Sequence, residues 1–177
     1  MRRTLSATGV LLVVAGVALG QVTARQGVVA SQGPTDERTR FKSPMILEIP
    51  LTLFEKMRTA PPKALLRDSP GEVTKYVCDA VSFQSLRLEL ERPNHKNQFV
   101  LKVNVTLKND PGVDKIVHLT LEVLSKGNRA AVGFIPKIDA EEHKTINKHA
   151  ELTIPAAKLD LSEVPTLKIT MEVRDNS

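Results

Sequence analysis

From residue 99 onward, Phe99, Leu101, Val103, Val105 and Leu107 alternate with Lys102, Asn104, Thr106 and Lys108. An extended chain sends successive side chains to opposite faces, so this run describes a strand with one buried face and one solvated face. A helix would scatter the same residues around its axis. Such a strand needs neighbours in a sheet and a second layer over its apolar side, so the run constrains the fold more than any other stretch.

The same period recurs along the chain. Leu47, Ile49, Leu51 and Leu53 alternate from residue 45 onward, with Pro50 inside the run. A proline has no backbone donor, which argues for an edge strand or a bend, and residues 45–53 are the candidate edge open to exchange with a partner. Residues 73–82 read as another strand, and Leu86, Leu88 and Leu90 as a further one. Val117, Leu119, Leu121 and Val123 follow, then residues 130–135, then Ile146, Ala150, Leu152 and Ile154, and last Leu167, Ile169, Met171 and Val173. Asp68-Ser69-Pro70-Gly71, Asn109-Asp110-Pro111-Gly112 and Lys126-Gly127-Asn128 carry turn chemistry between these runs. Residues 54–66 are ambiguous, with short helical turns around Pro61 and Pro62.

Seven or eight strands, turns between them and no long helical period predict an all-β antiparallel sandwich with one solvated face per sheet. A barrel has the same local signature, and a helix near residues 54–66 would make the fold α+β. Residues 99–109, 117–128 and 153–173 resemble successive strands of immunoglobulin-like or fibronectin type III-like modules of exported bacterial proteins, a resemblance that covers residues 72–174. The buried Trp and cysteine pair of antibody domains are missing, so the resemblance implies architecture alone and no functional residue.

The N-terminus carries an address. Arg2 and Arg3 precede an apolar run at residues 10–19, and Ala18-Leu19-Gly20 offers the small residues that a signal peptidase requires. Residues 1–20 therefore read as a signal peptide whose removal leaves Gln21 first; a second cleavage site follows Ala24, and an uncleaved anchor is the competing reading. Residues 21–42 are small and polar and read as a flexible leader to one domain at residues 43–177. The expected location is periplasmic or extracellular, with the membrane involved only during export or as an anchor.

The single cysteine, Cys78, allows no intrachain disulfide, so stability must come from buried apolar surface. The net charge is +5, and loss of Arg2 and Arg3 leaves 23 basic and 20 acidic residues, or +3. Both signs are interspersed and the chain has one Tyr and no Trp, which argues against nucleic acid and against sugar rings stacked on aromatics.

Candidate chemistry is sparse. His118, His143 and His149 lie in or beside strands without the spacing of a metal motif; His118 and His149 are the weak metal candidates and require neighbouring strands to meet. Asp139, Glu141 and Glu142 with His143 form an acidic tip that lacks the ligand ladder of a calcium loop. Cys78 sits in an apolar run beside Asp79, an environment that raises a thiol pKa. No nucleophile elbow and no phosphate loop occurs, and Asn104-Val105-Thr106 matches a glycosylation acceptor only inside a strand. The expectation is an exported, non-catalytic β-sandwich without cofactors that acts through contacts with an unknown protein partner. The alternative is an exported small-ligand or metal-binding protein using its surface histidines.

Overall fold

A computed structural model describes residues 22–25, 38–61, 64–93, 96–110 and 112–176. In chain order its elements are β1 (Thr23–Arg25), β2 (Thr39–Phe41), β3 (Met45–Pro50), α1 (Leu53–Thr59), β4 (Leu66–Asp68), β5 (Tyr76–Cys78), β6 (Val81–Glu91), β7 (Gln98–Asn109), β8 (Lys115–Ser125), β9 (Asn128–Ala140), β10 (Thr145–Pro155) and β11 (Thr166–Asp175). They make two sheets. The first runs β1-β3-β11-β8-β9, and the second runs β10-β7-β6-β5-β2, with β4 also pairing β6. Every pairing is antiparallel except β2 with β5.

The expected all-β sandwich is what the chain forms. Leu47, Ile49, Leu121 and Ile169 from the first sheet and Leu88, Leu101, Val103 and Leu107 from the second are all buried to within 1%. At roughly 1.5–3 kcal/mol for each fully buried aliphatic side chain, this double layer supplies the main driving force for folding. The strand count exceeds the expected seven or eight because β1, β2, β4 and β5 are only three residues long. Three residues do not contain enough alternation to be read as a period.

Two β-bulges explain where the expected strand boundaries differ. Residues 81–91 form one strand, although the apolar residues change parity within it: Val81 and Phe83 are buried before Gln84, and Leu86, Leu88 and Leu90 after it. Phe83 pairs Leu107 while Ser85 pairs Thr106, so Gln84 is the inserted residue. One extra residue moves the following side chains to the opposite face, and here it restores them to the core. In β9 the same device acts at Pro136 and Lys137, which stand opposite His118 and let both Ile135 and Ile138 point inward.

Residues 73–82 are not one strand. A 3₁₀ helix spans Gly71–Lys75, β5 follows, and a two-residue turn at Asp79 and Ala80 leads into β6. Both turn residues have positive φ, 41° and 75°, the backbone of the tight hairpin turn that matches the twist of paired strands. The helix at residues 53–59 buries Leu53 and Phe54, and Phe54 meets the edge of Phe99 at 5.2 Å. It stops at Ala60, which is extended because it precedes Pro61.

Of the leader expected at residues 21–42, the structure describes residues 22–25 and 38–42, which contain β1 and β2. Val22 is buried, its N–H donates to Glu72 Oε2 at 3.3 Å, and Tyr76 donates to its carbonyl at 3.3 Å. For the same reason residues 45–53 are not an open edge. β11 pairs one side of β3 and β1 the other, at Ile46, Leu47 and Glu48. Residues 1–21, which hold the expected signal peptide, lie outside the described residues. Among the described residues no helix is long and apolar enough to cross a membrane.

Candidate functional site

The outer face of the second sheet is polar and ordered into rows. Antiparallel register sets Ser85 beside Thr106 and Thr106 beside Asn147; Arg87 beside Asn104 and Asn104 beside His149; Glu89 beside Lys102 and Lys102 beside Glu151. These are the outward positions of β6, β7 and β10, aligned because one face of each strand was taken by the core. Ser85 Oγ donates to Thr106 Oγ1 at 2.9 Å, and Thr106 Oγ1 donates to Asn147 Oδ1 at 2.7 Å. Lys102 binds Glu91 and stands 4.0 Å from Glu151; the hydrogen bond and attraction of Glu91 raise its pKa above the usual lysine value. A trough of about 570 Å³ lies over the first two rows, lined by Arg87, Asn104, Thr106, Asn147 and His149 among others.

β10 closes this face and ends the sheet. It pairs β7 over eleven consecutive residues, from Thr145 with Lys108 to Pro155 with Gln98, without a bulge. On the inner side β9 passes beneath it, so that a Cβ added at Gly133 would stand 3.1 Å from Leu152 Cγ.

A second cleft, of about 310 Å³, opens at one end of the sandwich between Phe41, Lys42, Ala80 and Lys115. Asp79 organises it. Its carboxylate accepts from Ser43 N at 2.7 Å and faces Lys42 Nζ at 3.2 Å, while its own N–H donates to Phe41 O at 3.1 Å. These contacts hold the left-handed turn against its strain and tie β2 to β5.

The residues singled out from sequence separate. His118 lies on β8 in the first sheet and His149 on β10 in the second, so the pair cannot share one ion. His118 Nδ1 accepts from Lys137 N at 3.3 Å, beside the β9 bulge. His143 sits in the turn before β10 with its Nε2 3.5 Å from Glu142 Oε1. The acidic tip is occupied by its own surroundings: Glu141 binds Lys144, and Glu142 Oε1 accepts from Gly112 N at 2.9 Å. Among the described residues no three His, Cys, Asp or Glu side chains stand together as metal ligands. Cys78 is fully buried; desolvation first, then the neighbouring Asp79, push its thiol up to about 12, so it stays protonated at neutral pH.

Sequence pattern identified the outward residues of β7 but not the rows they form with β6 and β10. Alternation shows which face a residue occupies, whereas rows depend on which strands are neighbours and in what register. No protein-family model matches the chain, and no curated protein matches it.

Proposed function

We propose that this is an exported, non-catalytic binding module that works through protein contacts in the periplasm or at the cell surface, with β10 as its contact strand. The observation that carries this reading is the contrast among the four sheet ends. β1 and β2 are three residues long, and β9 carries Pro136 and two bulges, all features that discourage pairing with a foreign strand. β10 alone is long, regular and free of proline until its last residue. Its outer backbone edge is a template for strand addition, the mode in which main-chain hydrogen bonds supply affinity and flanking side chains supply selectivity.

The non-catalytic part is supported by the buried, protonated Cys78 and by the separation of the histidines. Export is supported by Arg2, Arg3 and the apolar run at residues 10–19. Cleavage before Gln21 leaves β1 whole, whereas cleavage after Ala24 would divide the strand that covers β3. An immunoglobulin-like character belongs to the same reading through its two facing antiparallel sheets. The strand order differs from the ABED and CFG sheets of a constant-type domain, so the likeness is one of layers and not of connections.

The test is capture from an envelope extract by the purified protein, compared with a Thr145→Lys/Thr153→Lys variant. Both threonines are exposed on β10, and edge lysines are a natural deterrent to strand pairing. Loss of capture in the folded variant supports the reading. Unchanged capture, together with loss on replacing the exposed Phe134 of β9 by Ser, moves the contact surface to the other sheet and overturns it.

A further inference from the structure

We propose that the partner of β10 is a second copy of this chain, its own β10 added antiparallel across a two-fold axis at Ala150. The inference rests on the protein-contact reading above and names its partner.

The argument is one of register. In an antiparallel pair related by a two-fold axis, residues opposite each other share a face, so the axis must pass through a residue position. Four central positions are available along the middle of β10. An axis at Lys148 places Lys148 against itself, and one at Glu151 places Glu151 against itself; like charges directly opposite are destabilising. An axis at His149 sets imidazole against imidazole and leaves Glu151 facing Asn147. Only an axis at Ala150 sets His149 against Glu151, and symmetry makes that pair twice.

The remaining pairs in this register also fit. Ile146 meets Ile154 and Asn147 meets Thr153, while the Lys148 stem lies along Leu152 with its ammonium free to reach water. Ala150, the residue on the axis, has the smallest side chain of the strand, so the backbones can close at the point where two identical side chains must coincide.

The rows across the second sheet then continue through the axis. Arg87, Asn104 and His149 of one copy run into Glu151, Lys102 and Glu89 of the other, in register order. The imidazole end of one row meets the carboxylate end of the other, where a ring N–H of His149 can donate to Glu151, and the reciprocal row does the same. Two surfaces that are each polar and mixed in sign thus become complementary only when the partner is this same strand, which is why a second copy fits better than an arbitrary peptide.

The experiment is sedimentation velocity on the full chain purified from an exporting host, over concentrations up to roughly 100 μM, with charge-swap variants. Wild type sediments as a concentration-dependent dimer. His149→Glu sets Glu against Glu151, and Glu151→Lys sets Lys against His149; each single variant raises the dimer Kd roughly tenfold or more. The double variant His149→Glu/Glu151→Lys sets opposite charges against each other and returns Kd to within about threefold of wild type. Both positions are exposed, so circular dichroism and thermal melts of the diluted variants match wild type. Hydrogen exchange gives an independent readout: the amides of β10 are slower at high protein concentration than at low.

A chain that stays monomeric throughout overturns the proposal, as does a dimer indifferent to the single variants or not rescued by the double one. A monomer whose edge-lysine variant still loses an envelope partner leaves the protein-contact reading standing and sinks only this one.

Discussion

Among the described residues, the chain lays down six strands of ten to thirteen residues between residues 81 and 175, whereas between residues 22 and 80 it contributes four strands of three residues, one of six and a seven-residue helix. The long strands hold one another by extended ladders and by two continuous apolar faces. The short pieces hold on by individual contacts: Val22 to Glu72 and Tyr76, Asp79 to Ser43 and Lys42, Thr52 Oγ1 to Asp68 Oδ2 at 3.2 Å. The difference teaches that the later region is a frame of long ladders, and the earlier one a covering that enters the same core through Met45, Leu47 and Ile49 of β3 and is fixed elsewhere by tethers. Frames fail when volume is removed; coverings fail when a single polar group is.

The largest effect is expected where the frame is thickest. Leu101→Ala in β7 removes a fully buried side chain between the sheets and should destabilise the protein by about 2–5 kcal/mol in urea titration, in a single cooperative transition. A cost near zero would mean that the frame is not the structural centre described.

The next effect is electrostatic and belongs to the covering. Cys78 keeps its proton up to about pH 12 in the folded chain, while an unfolded thiol releases it near pH 8.5. Between those values the folded state binds the extra proton, so stability should fall as pH rises, by up to about 1.4 kcal/mol per pH unit. Comparing the alkaline slopes of wild type and Cys78→Ala isolates this contribution; identical slopes would place the thiol in contact with water. Native Cys78 should also resist thiol reagents at neutral pH until urea unfolds the chain.

Asp79→Ala should cost about 1–2 kcal/mol, because it leaves the Ser43 amide without its acceptor. In hydrogen exchange the loosening should be confined to β2 and β5, with β7 and β8 unchanged. Equal loosening of both regions would erase the distinction between frame and covering. The smallest effect has the opposite sign. Ala80 sits at φ 75°, a conformation glycine adopts without strain, so Ala80→Gly should stabilise by about 0.5–1 kcal/mol in thermal melts.

One polar group inside the frame departs from this division. Glu122, 7% exposed on β8, faces Arg129 at 2.6 Å and Lys168 at 3.0 Å. The Lys168 hydrogen bond, then the two positive charges, hold its pKa below the usual glutamate value despite its burial. It joins β8 to β9 and to β11 across the outer face, a tether set within a region otherwise stabilised by area.

The legibility of the chain follows the same division. Phe99 to Leu107 and Val117 to Val123 announced their strands because alternation over nine or seven residues has only one structural meaning. β1 and β2 were read as leader because Val22 and Phe41 are single apolar residues in polar surroundings, with no period around them. β6 was read as two elements because the bulge at Gln84 switches its parity, and a switch looks like an end when the partner strand is unknown. The rows that make the candidate surface were legible only in part: Asn104 and Thr106 were visibly outward, but nothing local says that His149 and Asn147 stand beside them.

By itself, then, the sequence determined that residues 99–107, 117–123 and 167–173 form extended chain with one face committed to a core, since side-chain alternation is a property of neighbouring residues on one strand. Which strands are neighbours was decided only by tertiary structure: the placing of His118 and His149 in opposite sheets, the covering of β3 by β1, and the place of β10 at a sheet end. Pairing joins residues far apart along the chain, and the hydrogen bonds that select it run between backbone groups that every residue carries alike.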